Sequence, residues 1–111
     1  MDKIKKTIRY NSLLHIYGSL LSKTQYEFAD DYFSYDLSLS EIADAKGVSR
    51  SAVEDAIKKA LKKLDEYEKE LKILEKNSQI IDLLERVRDA SGEEKNQLIE
   101  EIERIIYSYG I

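Results

Sequence analysis

Seven residues near the middle of the chain have the types and spacing to hold a nucleic acid: Ser49, Arg50, Ser51, Glu54, Lys58, Lys59 and Lys62. On a helix laid in a major groove, the N-terminal half reads base edges while the rest nears the backbone. Arg50 can take guanine O6 and N7 together or hold a phosphate, and Ser51 can contact either. Lys58, Lys59 and Lys62 are suited to phosphate, which supplies affinity without sequence choice. Glu54 can accept from cytosine N4, but it and Asp55 also repel phosphate. Their plainer reading is i,i+4 pairing with Lys58 and Lys59, which suits an exposed helix with any partner or none.

Such a row needs a helix held outward by a second one. The stretch Leu37–Leu64, LSLSEIADAKGVSRSAVEDAIKKALKKL, reads as a helix-turn-helix. Ser38 and Glu41 form an S-x-x-E capping box, which predicts a helix from Leu39 with Leu39, Ile42 and Ala43 on its inner face. Gly47 follows Lys46 where a left-handed residue is needed, and Val48 is expected to plug the corner. Ser49 caps the second helix, whose inner face is Val53, Ala56, Ile57, Ala60, Leu61 and Leu64. Small Ala43, permissive Gly47 and branched Val53 allow a close crossing. The competing reading is a helical hairpin inside an all-α core.

Other residues that can do chemistry find little support. His15 is the only histidine, and no cysteine is present, so no thiolate metal site or disulfide frame exists. Asp30, Asp31 and Asp36 fit no EF-hand spacing and read as a solvated face. Coupling Glu27, Asp30 and Asp31 to a reaction would need a pocket. There is no glycine-rich phosphate loop, no H-E-x-x-H and no Ser/His/Asp set. No cofactor, metal or enzymatic activity is expected. Tyr26, Ala29, Tyr32 and Phe33, with Phe28 at the margin, could form a base-stacking platform but at helical spacing read as core. Lys3, Lys5, Lys6 and Arg9 could make a basic arm and read instead as a solvated lead-in.

Charge is uneven. The net charge of the 111 residues is −4. Arg50–Leu64 nevertheless holds five basic residues against two acidic ones, whereas Asp65 onward has thirteen acids and seven bases. Local field governs attraction to phosphate. The apolar residues are interrupted too often for a membrane span, and MDKIKK lacks the apolar run of a signal peptide, so a cytoplasmic protein is expected.

Along the chain, Tyr10, Leu13, Leu14, Tyr17, Leu20 and Leu21 predict a first helix over about 9–21. Ser22 to Gln25 is a second capping box, starting a helix through about Ser34. Beyond Leu64 the pattern continues through Tyr67, Leu71, Leu74, Ile81, Leu84 and Val87, as one long helix or two joined near Asn77. Ser91 to Glu94 is again S-x-x-E, predicting a last helix from about Glu93 to Tyr109, with Leu98, Ile99, Ile102, Ile105, Ile106 and Tyr109 apolar. This divides the chain into a helix-turn-helix domain, 1–64, and a helical extension, 65–111. The extension's apolar surface must fold back, pair with a second subunit, or both; a homodimer is expected.

These residues together resemble the YlxM family of small bacterial helix-turn-helix proteins. The resemblance covers most of the first two-thirds of the chain and weakens after about Lys76. It rests on Tyr17-Gly18-Ser19-Leu20-Leu21, Asp36-Leu37-Ser38-Leu39 with Glu41-Ile42-Ala43, Val48-Ser49-Arg50 with Ala52-Val53, and Glu66-Tyr67-Glu68. It implies an all-α fold: a three- to four-helix domain whose helix-turn-helix is similar to the promoter-reading region 4 of sigma factors, followed by a long C-terminal helical extension. It also implies a regulatory role connected with the signal recognition particle pathway. Two function classes stand. One is a regulator that binds nucleic acid, duplex DNA ahead of signal recognition particle RNA. The other is a protein-interaction module on the same fold, contacting particle components without reading a groove.

Overall fold

The computed structural model describes residues 3–109. They form six α-helices: α1 Lys3–Tyr17, α2 Lys23–Phe33, α3 Leu39–Lys46, α4 Arg50–Leu71, α5 Ile73–Asp89 and α6 Gly92–Tyr107, with one 3-10 turn at Gly18–Leu20. The chain divides into two compact units, Met1–Lys72 and Ile73–Ile111.

In the first unit, α1, α2 and α3 all pack against α4. Leu13, Tyr17, Ala29, Ile42, Val53, Ala60 and Leu64 are at most 1% exposed and form its centre. Local chemistry sets the helix starts. At both Ser22/Gln25 and Ser38/Glu41 the hydroxyl accepts from the N3 backbone N–H while the N3 side chain accepts from the cap N–H. Each such cap is worth about 1 kcal/mol. The bond from the Ser38 N–H, with its hydroxyl adding, holds the Glu41 carboxyl below the usual carboxylate range.

Several sequence expectations need correction. Helix α1 begins at Lys3 and ends at Tyr17, earlier at both ends than 9–21; nothing in Lys3–Tyr10 breaks a helix. Leu20, placed on the inner stripe, is exposed because the chain tightens to a 3-10 turn after Tyr17. Phe28 is buried while Tyr26 is 38% exposed, the reverse of the predicted order. The Tyr26 ring lies over Gly18, where an added Cβ would stand 2.6 Å from its Cε1 atom. Glycine at 18 is therefore what lets this ring approach α1. Val48 is 41% exposed and does not plug the corner.

Helix α4 continues past Leu64, as the apolar pattern does. It runs 22 residues to Leu71, about 33 Å at 1.5 Å per residue. The break that follows is at Lys72, not near Asn77. Lys72 takes a left-handed conformation, φ 57°, and its N–H donates to the Glu68 carbonyl at 2.8 Å. A non-glycine residue there costs about 1–2 kcal/mol, which is why no sequence signal marks it.

In the second unit, α6 folds back antiparallel on α5. Leu83, Leu98 and Ile102 form the core, flanked by Ile80, Val87, Ala90 and Ile105. At the open end the Lys76 ammonium donates to the Ser108 carbonyl at 3.3 Å, and the Tyr109 hydroxyl donates to Asn77 Oδ1 at 2.9 Å. Ile81 and Leu84, part of the apolar pattern in the sequence, are 55% and 49% exposed. The 3–4 spacing admits either stripe, and contact with α6 selects Ile80, Leu83 and Val87. The expected Ser91/Glu94 box does not form: Ser91 makes no side-chain cap, and Gly92 begins α6 at φ 59°, which swings the chain away from box geometry.

Candidate nucleic-acid interface

The bend between α3 and α4 has three residues, Gly47, Val48 and Ser49. Gly47 is left-handed at φ 67°, and both its N–H and that of Val48 donate to the Ala43 carbonyl. This is the helix-stop geometry expected of glycine. Ser49 then caps α4, its hydroxyl accepting from the Ala52 N–H at 3.1 Å. Helices α3 and α4 pack together, with Ile42 and Ala43 of α3 and Val53 and Ile57 of α4 buried. The helix-turn-helix is present, and residues 39–64 are not one unbroken rod.

All seven candidate residues are exposed. At about 100° per residue, Ser51, Lys58 and Lys62 fall on the face of α4 opposite Val53, Ala60 and Leu64. Lys59 and Glu54 lie at its two margins. Arg50, by the same count, lies about 100° from Ser51 and in phase with Leu61, on the flank turned toward the core. The structure thus brings Ser51, Lys58 and Lys62 together and sets Arg50 apart.

The carboxylates engage two of the lysines. Lys58 pairs with Glu54 at 3.2 Å and Lys59 with Asp55 at 3.0 Å, as the i,i+4 reading anticipated. These side chains are 49–74% exposed, where such a pair contributes only about 0.3–0.5 kcal/mol. Lys63, next along, donates to Gln25 Oε1 at 3.2 Å and so ties α4 to α2. Among the described residues no ion pair engages Arg50 or Lys62.

Behind the outward face, polar contacts brace α4. The Tyr10 hydroxyl donates to Asp65 Oδ2 at 2.9 Å, and Arg9 reaches Asp65 Oδ1 at 3.4 Å. The Tyr17 hydroxyl donates to buried Glu68. Arg9, grouped in sequence with the basic lead-in, is therefore occupied within the unit. Of the acids weighed as a cation site, Asp31 instead holds Lys46 together with Glu27, at 3.8 and 3.7 Å. Among the described residues no cluster of acids or histidine is placed to bind a metal ion. His15 is exposed on α1.

A cleft of about 620 Å³ opens beside the start of α4, and sequence reasoning missed it. Lys3 and Lys6 of α1, Tyr32 of α2, and Arg50 line it, with Asp36 and Glu41. The spacing of Lys3 and Lys6, one turn apart, was visible; their meeting with Arg50 was not.

The family model described as "Putative helix-turn-helix protein, YlxM / p13 like" matches residues 4–105. The chain belongs to this family. The match runs well beyond Lys76, so the family, UPF0122, includes the α5–α6 unit as well as the helix-turn-helix. A UPF0122 protein of Shouchella clausii is 40% identical over 107 residues, covering 92% of this chain and 98% of its own. One from Bacillus pumilus is 38% identical, covering 92% and 97%. One from Fusobacterium nucleatum is 43% identical over 95 residues, covering 82% and 89%. No helix among the described residues is long and apolar enough to cross a membrane.

Proposed function

We propose that this protein is a nucleic-acid-binding regulator that lays α4 in the major groove of duplex DNA. The observation that carries this reading is the bend at Gly47, which turns Ser51, Lys58 and Lys62 away from the core on one face. Ser51 reads or positions, Lys58, Lys59 and Lys62 contact phosphates, and Ser49 and Glu54 lie at the groove edge. Signal recognition particle RNA is the alternative nucleic acid, through the pathway that the family resemblance implies. The protein acts in the cytoplasm on this reading.

A salt series with mixed-sequence duplex DNA tests it. Neutralising three to five phosphates predicts a log–log slope of roughly −3 to −5. Changing Arg50, Lys58 and Lys59 together to Ala abolishes binding. A flat salt response, or no binding at low salt, overturns the reading.

One observation favours a second reading. Lys58 and Lys59 are already paired with Glu54 and Asp55, leaving a mixed-charge face suited to a protein partner, including components of the signal recognition particle. Such a partner would bind with Arg50→Ala and Lys62→Ala altering affinity while DNA does not compete.

The second unit is proposed to pair with a second copy. Ile81 and Leu84 of α5 and Ile99 and Ile106 of α6 are 37–55% exposed. Helical phase puts all four on one side of the α5–α6 hairpin. A unit of fewer than about 40 residues rarely stands on its own core without oligomerisation, and a two-fold pairing buries the same face twice. Light scattering at micromolar concentration is expected to give the dimer mass, and Leu84→Glu/Ile99→Glu the monomer mass. A monomeric wild type overturns the pairing.

A further inference from the structure

The geometry points to the cleft between the start of α1 and the start of α4 as a seat for a nucleic-acid backbone phosphate, clamped by Lys3 and Lys6 on one wall and Arg50 on the other. The inference rests on the DNA-binding reading above and extends it to a helix outside the helix-turn-helix. Three cations line the cleft against two carboxylates, Asp36 and Glu41. Glu41 is turned to the α3 cap, accepting from the Ser38 N–H at 3.0 Å. That bond also occupies the cap, so the seat is made by side-chain cations and not by the end of α3.

Helical phase separates Arg50 from the outward face. With Arg50 about 100° from Ser51, a docking that aims Ser51, Lys58 and Lys62 into a groove turns Arg50 toward the groove wall. A phosphodiester strand lies there. Lys3 and Lys6, exposed one turn apart on α1, face the same opening. Lysine meets phosphate as a point charge and needs no planar fit. Arg50 thus acts on the backbone, fixing where the duplex sits, and carries no base preference.

Fluorescence anisotropy with a mixed-sequence duplex across a sodium chloride series separates the outcomes. Lys3→Gln/Lys6→Gln is expected to flatten the log–log slope by up to about 0.9, the contribution of the one phosphate they help to hold. Lys5→Gln, also exposed on α1 but absent from the cleft lining, leaves it unchanged. Arg50→Ala flattens the slope, and Arg50→Lys restores it, because an ammonium serves a phosphate as a point charge, whereas it cannot reproduce the planar fork of guanidinium at a bidentate site. Circular dichroism confirms that helix content is retained. If wild type binds and Lys3→Gln/Lys6→Gln keeps its slope, or Lys5→Gln flattens it equally, the cleft is not the seat while DNA binding stands. If wild type fails to bind at low salt, both fall.

Discussion

The Tyr17 hydroxyl donates to Glu68 Oε1 at 2.8 Å inside the first unit, where Tyr17 is 1% and Glu68 8% exposed. This bond ties the end of α1 to the last turns of α4, behind the proposed recognition face. A buried carboxylate deprived of a donor loses more than an average hydrogen bond is worth. Tyr17→Phe is expected to destabilise the protein by about 1–3 kcal/mol in urea unfolding. Tyr67→Phe, whose hydroxyl makes a 3.4 Å exposed contact with the Leu20 carbonyl, is expected to cost less than about 0.5 kcal/mol.

Gly47 has open space around its missing Cβ, so its constraint is conformational and not steric. Gly47→Ala is expected to lose about 1–2 kcal/mol, the cost of a left-handed L-residue, whereas Gly47→Asn loses less because asparagine tolerates that region. Urea midpoints measure both. Equal losses for Ala and Asn would show that the backbone angle is not what glycine supplies here.

Burial, followed by the hydrogen bond to Asp65 and its charge, pushes the Tyr10 phenol above its ordinary 10.0. The folded state therefore favours the protonated phenol. The associated stability is fully present below about pH 10 and is lost as pH rises through the folded pKa. Melting temperature is expected to fall through this alkaline window in wild type and to fall less steeply in Tyr10→Phe. Parallel curves would remove the Tyr10–Asp65 contact as a cause.

Glu54 and Asp55 hold Lys58 and Lys59 and also repel phosphate. Glu54→Gln/Asp55→Asn is expected to tighten duplex binding by roughly twofold per carboxylate, matching pairs of about 0.3–0.5 kcal/mol. Folding stability falls by no more than the same small amount per pair. Titration of wild type and variant at one salt concentration checks this. Weaker binding by the variant would mean that Glu54 itself makes a favourable contact.

What the chain alone determined was set by neighbours in sequence. The caps at Ser22/Gln25, Ser38/Glu41 and Ser49, the stop at Gly47, and the Glu54–Lys58 and Asp55–Lys59 pairs each need only three or four residues and one turn of helix. That is enough to specify the helix-turn-helix and the outward direction of Ser51, Lys58 and Lys62. Choices between equally periodic alternatives required a packing partner. Phe28 lies inside and Tyr26 outside, because Gly18 offers Tyr26 a surface to cover. Leu83 and not Leu84 is buried, because α6 contacts that side of α5. The Lys72 break has no local signature, since it is a strained lysine where glycine would be expected. The meeting of Lys3 and Lys6 with Arg50 joins residues more than forty positions apart. Helical periodicity says which way a side chain leaves its own helix, and only the packing of α1 and α2 on α4 decides what it faces.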